Sequence, residues 1–391
     1  MSVDATVVLA VILIGSIAAA IVFCSRRSKR LPRRREGLVE TVTKREQSER
    51  VRRSLSSYAA HSNNGMGPLE SGAKLMEAGR WNEALDLFER AADAYHRAGD
   101  RDLEANALGN IGYYLQSRGE YERALTYHEK ALTIHQTSGN KYDEAIDFCN
   151  FGHCYMGLNR LDKAEEYSLM SLELSRKVGN REGEADQLCN LAQIYQKVGD
   201  KHRALEYSTR STKIYEELGL KQGVASNLTS IGFIHMEEGQ LREGLGFFLR
   251  ALHLYRDVKH REGEANSLSN IGLAYWQSGK LEEAIEHVDA ALRIDREIGN
   301  RPGEAKTSAN LGRMHLARGE AAEALACYIH AASLCDSMGV VADRASVTVP
   351  MRVIALDVGK SAFMKACSKE GIPKSRCQAM WQEMRDDADE H

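Results

Sequence analysis

The side chains with chemical potential in this 391-residue chain are scattered, and each constellation stops short of a reaction centre. Cys149 and His153 stand one helical turn apart, which suits two ligands of a metal ion. No second pair completes a tetrahedral set, so no metal site is expected. Val358-Gly359-Lys360-Ser361 has the ending of a phosphate-binding loop. That loop requires a further glycine five residues before the second one, and Ile354 stands there, so no nucleotide cofactor is expected. Asn227-Leu228-Thr229 is a glycosylation sequon, but it falls in a predicted helix on the side of the membrane assigned below to the cytoplasm. Glu104, Glu144, Glu184, Glu264 and Glu304 recur at one interval and are expected on an outward face. A carboxylate that recurs belongs to a scaffold more readily than to a unique active site. No nucleophile and base can be paired, so neither catalytic residues nor cofactors are expected. Lys306 and Arg313, two helical turns apart, could together hold a carboxylate. The eight cysteines include no CxxC pair, and their scatter fits reduced thiols better than a disulfide framework.

What recurs without a slip is a period of forty residues. Asn110, Asn150, Asn190, Asn270 and Asn310 share one phase, with Ser230 in the remaining slot. Gly112, Gly152, Gly232, Gly272 and Gly312 follow two residues later, with Ala192 among them. Gly119, Gly199, Gly239, Gly279 and Gly319 form a third row, completed by Asn159. Self-similarity at a period of this size is the mark of a stacked-repeat solenoid, which offers an extended surface to other molecules.

Within one unit, Arg101 to Asn140, the positions Ala105, Leu108, Ile111, Gly112 and Leu115 make one helical face. Arg118-Gly119-Glu120 breaks it. A second helix carries Ala124, Leu125, Tyr127, Ala131, Leu132 and Ile134, and Ser138-Gly139-Asn140 closes it. Glycine at both breaks fits the left-handed cap of a helix. Gly112 and Ala124 are small enough to let the two helices approach closely. Tyr127, Tyr167, Tyr207 and Phe247 are assigned to packing, as are Tyr155, Tyr195 and Tyr275.

This pattern resembles the tetratricopeptide repeat, a pair of antiparallel helices, through Leu108, Ile111, Gly112, Gly119, Tyr121, Ala124, Ala131 and Leu132. Arg261 to Asn300 carries the same features in Leu268, Ile271, Gly272, Tyr275, Gly279, Leu281, Ala284, Ala291 and Leu292. The forty-residue unit, with GNREGEA or GNRPGEA between copies, exceeds the commonest form of about thirty-four. It is similar to the longer subclass in Pins/LGN-type cell-polarity adaptors and kinesin light chains. The resemblance covers seven units, roughly residues 65–340. It implies an all-α superhelix whose first helices line a concave, peptide-binding groove. By that resemblance the groove residues are Asn110, Asn150, Asn190, Asn270 and Asn310, with Tyr113, His153, Gln193, Phe233 and Arg313 beside them. An asparagine offers both a donor and an acceptor, so the row could grip an extended backbone. It could equally bridge neighbouring helices, and both readings stand at this stage. Basic residues on that face are too sparse for a clamp on two carboxylates.

Ahead of the repeats, Ala5 to Cys24 is a twenty-residue stretch without charge, about the length that crosses a bilayer as a helix. Between Arg26 and Arg53 lie twelve Lys or Arg against four Asp or Glu. Basic residues following the apolar stretch place the bulk of the chain in the cytoplasm and the amino terminus outside. A cleaved secretory signal would carry its charge at the opposite end. Gly15 and Ala19 make a small-xxx-small pair through which homodimerisation could occur. The basic neck could also favour anionic lipid. The formal net charge of −3 conceals an acidic repeat body, which argues against nucleic acid as a partner.

The organisation expected is a short tail at 1–4, a transmembrane helix at 5–24, a basic neck at 25–64 and repeats at 65–340. A degenerate repeat, a capping helix and an acidic tail are expected at 341–391. Val347 to Asp357 reads as a distorted helix, and Pro373 as the start of an amphipathic one with Cys377, Met380, Trp381 and Met384. The function expected is that of a non-enzymatic, membrane-anchored adaptor for protein or peptide partners. The alternatives are a sensory subunit of a larger complex and, from a different class, an enzyme with a carboxy-terminal site.

Overall fold

A computed structural model of the protein describes residues 67–77, 80–338 and 344–389. The apolar stretch Ala5 to Cys24 and the basic neck lie outside them. Among the described residues every regular element is a helix, and no helix is long and apolar enough to cross a membrane.

Seven helix pairs follow one another: α1 (Gly67–Glu77) and α2 (Trp81–Ala98), α3 (Arg101–Ser117) and α4 (Tyr121–Ser138), α5 (Lys141–Gly157) and α6 (Leu161–Lys177). Then come α7 (Arg181–Val198) and α8 (Lys201–Glu217), α9 (Lys221–Glu237) and α10 (Leu241–Asp257), α11 (Arg261–Gln277) and α12 (Leu281–Glu297), and α13 (Arg301–Arg318) and α14 (Ala321–Met338). Each helix packs on its predecessor and its successor, and first helices of neighbouring pairs also touch. The core is therefore a chain of apolar clusters running along the stack.

Local chemistry sets the joints. Asp100, Asn140, Asn180, Asp200 and Asn300 each accept a backbone N–H of the first turn that follows, satisfying a donor the helix start leaves free. Most helices end on a glycine with positive φ, but Asn159 (φ 57°) and Lys259 (φ 54°) hold that conformation with a side chain. Inside each pair, the recurrent glycine of the first helix makes room for a side chain of the second. A Cβ on Gly232 would sit 2.7 Å from the Phe248 ring and 3.1 Å from the Gly244 carbonyl oxygen. On Gly112 it would sit 2.6 Å from the His128 ring, and on Gly272 2.9 Å from the Ala284 carbonyl oxygen. Close approach thus holds along the array, with the facing residue varying from copy to copy.

Aromatics assigned to packing stack across two of the pairs: Tyr155 on Tyr167 at 5.3 Å, and Tyr195 on Tyr207 at 5.4 Å between ring centroids, while Phe247 stacks on His235. Past the seventh pair, α15 (Arg344–Val358) contains Pro350, and α16 (Lys360–Lys369) and α17 (Lys374–Asp389) follow. Cys377, Met380, Trp381 and Met384 bury the apolar face of α17 against Phe363 and Cys367 of α16 and join them to Tyr328 and Ile329 of α14. The acidic end continues helically as far as Asp389.

One expectation is corrected. The recurrent glutamates do not face outward: Glu104, Glu144, Glu184 and Glu264 are buried, and Glu304 is largely so. Basic partners make that burial tolerable. Glu184 accepts from Arg176 at 2.8 Å and Arg181 at 2.5 Å, and Glu264 from Arg256 at 2.9 Å and Arg261 at 2.5 Å. The arginines lie partly in water while the carboxylates are enclosed, so Glu184 and Glu264 each pin a second helix to the first helix of the next pair.

Candidate functional site

The first helices α3, α5 and α7 enclose a cleft of about 160 Å³ that reaches inward between the second and fourth pairs. Its existence follows from one repeated position. The rings of Tyr215 and Tyr255 fill the junction after α8 and after α10, each pressed against the glycine that opens the next pair, Gly223 or Gly263. The same position holds His135 after α4 and only Ser175 after α6. Where a tyrosine ring is replaced by a serine hydroxyl, space is left between repeats, and Ser175 and His135 both line it.

The lining sets polar side chains among apolar ones, and several of them are unlike the sister repeats. His135 Nδ1 lies 2.6 Å from Asp147 Oδ2, and both side chains are 4% exposed. His135 Nε2 lies 3.8 Å from Asp143 Oδ2 and has no hydrogen-bond partner. Asp143 stands where four other repeats have Gly183, Gly223, Gly263 and Gly303, and Asp147 where they have Gln187, Asn227, Ser267 and Thr307. At the α12–α13 junction the corresponding cluster is closed on itself: Asp295 accepts from Asn300 at 2.8 Å and from Thr307 at 2.9 Å, beside Gly303.

Burial pushes the Asp147 carboxyl up to about 6, against the opposing pull of His135. Burial alone would lower the His135 imidazole, but its hydrogen bond to Asp147 and the nearby carboxylates outweigh that and raise it. Burial also pushes the thiols of Cys327 and Cys367 up to about 12 and raises Cys154, the reverse of what an activated nucleophile requires. Among the described residues no three His, Cys, Asp or Glu side chains are placed to hold a metal ion.

Four of the ten groove residues expected from sequence meet at this cleft: Asn110, Tyr113, Asn150 and His153. The other six lie elsewhere along the stack. Asn190 is 3% exposed and donates to Gln187 Oε1 at 3.2 Å and Cys149 Sγ at 3.7 Å, which ties α7 to α5. Asn310 is equally buried, donates to Ser269 Oγ at 3.4 Å and accepts from Arg313 at 2.7 Å. Asn270 is buried, Gln193 and Phe233 are half-buried, and Arg313 is exposed. Asn190 and Asn310 therefore bridge neighbouring first helices, while Asn150 is half-buried at the cleft. Asn227 of the sequon is buried and donates to Ser211 Oγ at 2.8 Å, so it presents no acceptor for a glycan.

Tyr142, Asp143, Asp147 and Asp186 at the cleft were not singled out from sequence. The signal was there: each departs from the residues of the sister repeats at a position where the others are glycine or carry different side chains. Attention to what recurs passes over what does not.

The comparisons with known proteins fit this architecture. A model of the tetratricopeptide repeat matches residues 70–137, 143–217, 223–297 and 265–337, more than half of the chain, so the chain belongs to the tetratricopeptide repeat family. No curated protein matches it. Among solved structures, aspartyl phosphate phosphatase F from Bacillus subtilis is similar at a TM-score of 0.52 and 12% identity, over 81% of this chain and 90% of that one. A signal transduction ATPase with numerous domains from Pyrococcus horikoshii, bearing a tetratricopeptide repeat sensor, gives 0.52 and 17%, over 78% and 52%. The Cut9–Hcn1 hetero-tetramer of the APC/C gives 0.52 and 14%, over 76% and 50%. At these identities the likeness is one of fold.

Proposed function

From membership of this family, we propose that the chain is a non-enzymatic adaptor that holds an extended segment of a partner protein against its first helices. The observation that carries the reading is the cleft itself, an inward-reaching space of mixed polar and apolar walls on the face where the family's partners are expected to lie. Its unlike lining matters as much. A scaffold position repeats, whereas a recognition position has reason to differ from its counterparts, as Tyr142, Asp143 and Asp147 do.

The proposal extends to the amino-terminal region. Ala5 to Cys24 would anchor the chain as a single helix, with the repeats on the cytoplasmic side. Anchoring would raise the effective concentration of a captured partner at the bilayer. Protease added to sealed vesicles should spare the repeat body when that face is enclosed; digestion there would reverse the topology.

Binding is tested by quantitative co-purification with the full-length chain and with an Asn150→Ala, Arg313→Ala variant. These are the most accessible members of their two rows of candidates, so the fold should survive. A partner recovered with the first and depleted several-fold with the second supports the groove. Equal recovery at equal thermal stability moves binding to another face.

A further inference from the structure

We propose that the cleft among α3, α5 and α7 receives an arginine side chain from the extended partner segment. This rests on the groove-binding reading above and names the chemistry of its occupant. Asp143, Asp147, Glu182 and Asp186 line the cleft with His135, and no Lys or Arg does. Asp147 pairs with His135 at 2.6 Å, Asn140 donates to Asp143 at 2.8 Å and Tyr215 donates to Asp186, so four carboxylates face one imidazole. Asp143 and Asp147 are enclosed and Glu182 and Asp186 half-buried, a setting that favours a cation brought by a ligand, provided the pair can be hydrogen-bonded once water is displaced. A planar guanidinium with several donors satisfies more than one carboxylate at a time, which an ammonium point charge does less well.

Two further observations point to a ligand. Asn110 is 8% exposed and lines the cleft, yet its Nδ2 donor has no hydrogen-bond partner. A backbone carbonyl of an extended segment would accept from it. Tyr142 stands at the rim, 43% exposed, where the sister repeats have Glu182, Gln222, Glu262 and Pro302. Its ring would cover the face of an entering guanidinium. The walls are not those of a metal site, as no suitable trio of ligating side chains is assembled. The cleft also has a natural stopper, since Tyr215 and Tyr255 occupy the equivalent place at other junctions.

The test uses full-length protein in detergent and pools of short peptides, randomised except for a central arginine, citrulline, lysine or glutamate. The arginine pool should be retained at least about tenfold better than the citrulline pool, the scale of one charge-assisted hydrogen bond. Ser175→Tyr should abolish that preference, because it imports the tyrosine of three sister repeats, Tyr95, Tyr215 and Tyr255, opposite a glycine already present at Gly183. Asp147→Asn should weaken it. If Ser175→Tyr does not fold, Tyr142→Gln, which copies Gln222 at the exposed rim, should lower arginine retention several-fold on its own.

Equal retention of arginine and citrulline, or a preference that survives in a folded Ser175→Tyr protein, overturns the assignment. If retention then still falls with Asn150→Ala, Arg313→Ala, the groove stands and only its arginine pocket is lost. If no pool is retained, the assignment also falls. A synthetic Arg26–Arg53 segment runs beside the pools. Should it bind more tightly than any of them and lose binding in Ser175→Tyr, the occupant is the chain's own neck and not a partner.

Discussion

His128 is wholly enclosed, with neither ring nitrogen hydrogen-bonded, and Gly112 leaves the space its ring fills. Burial, assisted by the proximity of His153, holds its imidazole down at about 3. The folded protein therefore takes it as a neutral base, while the unfolded chain protonates it near the ordinary value of about 6.5. Its contribution is intact above that value and is lost as the pH falls through it toward about 3. Between pH 7 and pH 5 this linkage should cost the native state about 2 kcal/mol. Ser168 and Ser208 occupy the same position in the next two repeats, so His128→Ser is a change the architecture already accommodates. Denaturant melts at the two pH values should show the variant losing about 2 kcal/mol less than the parent. An unchanged pH response would mean that His128 is protonated or solvated in the native state. A residue like this could be read from sequence as core but not as a buried base, because the facing glycine becomes its partner only after the helices pair. Asp147 is a similar case. Its position in the period was legible, its enclosure with His135 was not, since the two lie on different helices and meet across a junction.

At the scale of the element, the forty-residue period carried most of the fold. Helix pairs, glycine turns, aromatic stacks such as Tyr195 on Tyr207 and the apolar face of α17 all follow from the spacing of small, apolar and turn residues. What the period did not carry is which polar face is covered. Glu184 and Glu264 look like surface residues when their own helix is considered alone, and become buried only because an arginine of the preceding helix closes over each. The turns show how strongly the element depends on a few positions. Lys259 holds a left-handed conformation at a place where Gly139, Gly179, Gly219 and Gly299 stand in sister repeats. A β-carbon there strains the backbone by about 1 kcal/mol, more than the added freedom of glycine in the unfolded chain costs. Lys259→Gly should accordingly raise stability by up to about 1 kcal/mol in a denaturant melt. A loss of stability would show that the Lys259 side chain makes contacts that outweigh the strain.

At the scale of the whole molecule, the array couples two unlike tasks along one stack. Recurrent residues build it: glycines where helices cross, glutamate–arginine pairs at the junctions, asparagines such as Asn190 and Asn310 between first helices. Residues that break the period are concentrated at the cleft among α3, α5 and α7, where a tyrosine-sized filler is missing and carboxylates take the place of smaller or uncharged groups. Because neighbouring units contact mainly one another, such a local departure is tolerated without loss of the rest. The central claim is that the partner lies on the first-helix face. A photo-cross-linking residue placed singly at Asn106, Asn150, Gln193 or Arg313 samples that face, and one at Leu169 or Leu249 samples exposed positions on second helices. With the full-length chain, covalent adducts to one and the same partner should form from the first group and not from the second. Adducts arising only from Leu169 and Leu249, with none from the first helices, would contradict the account.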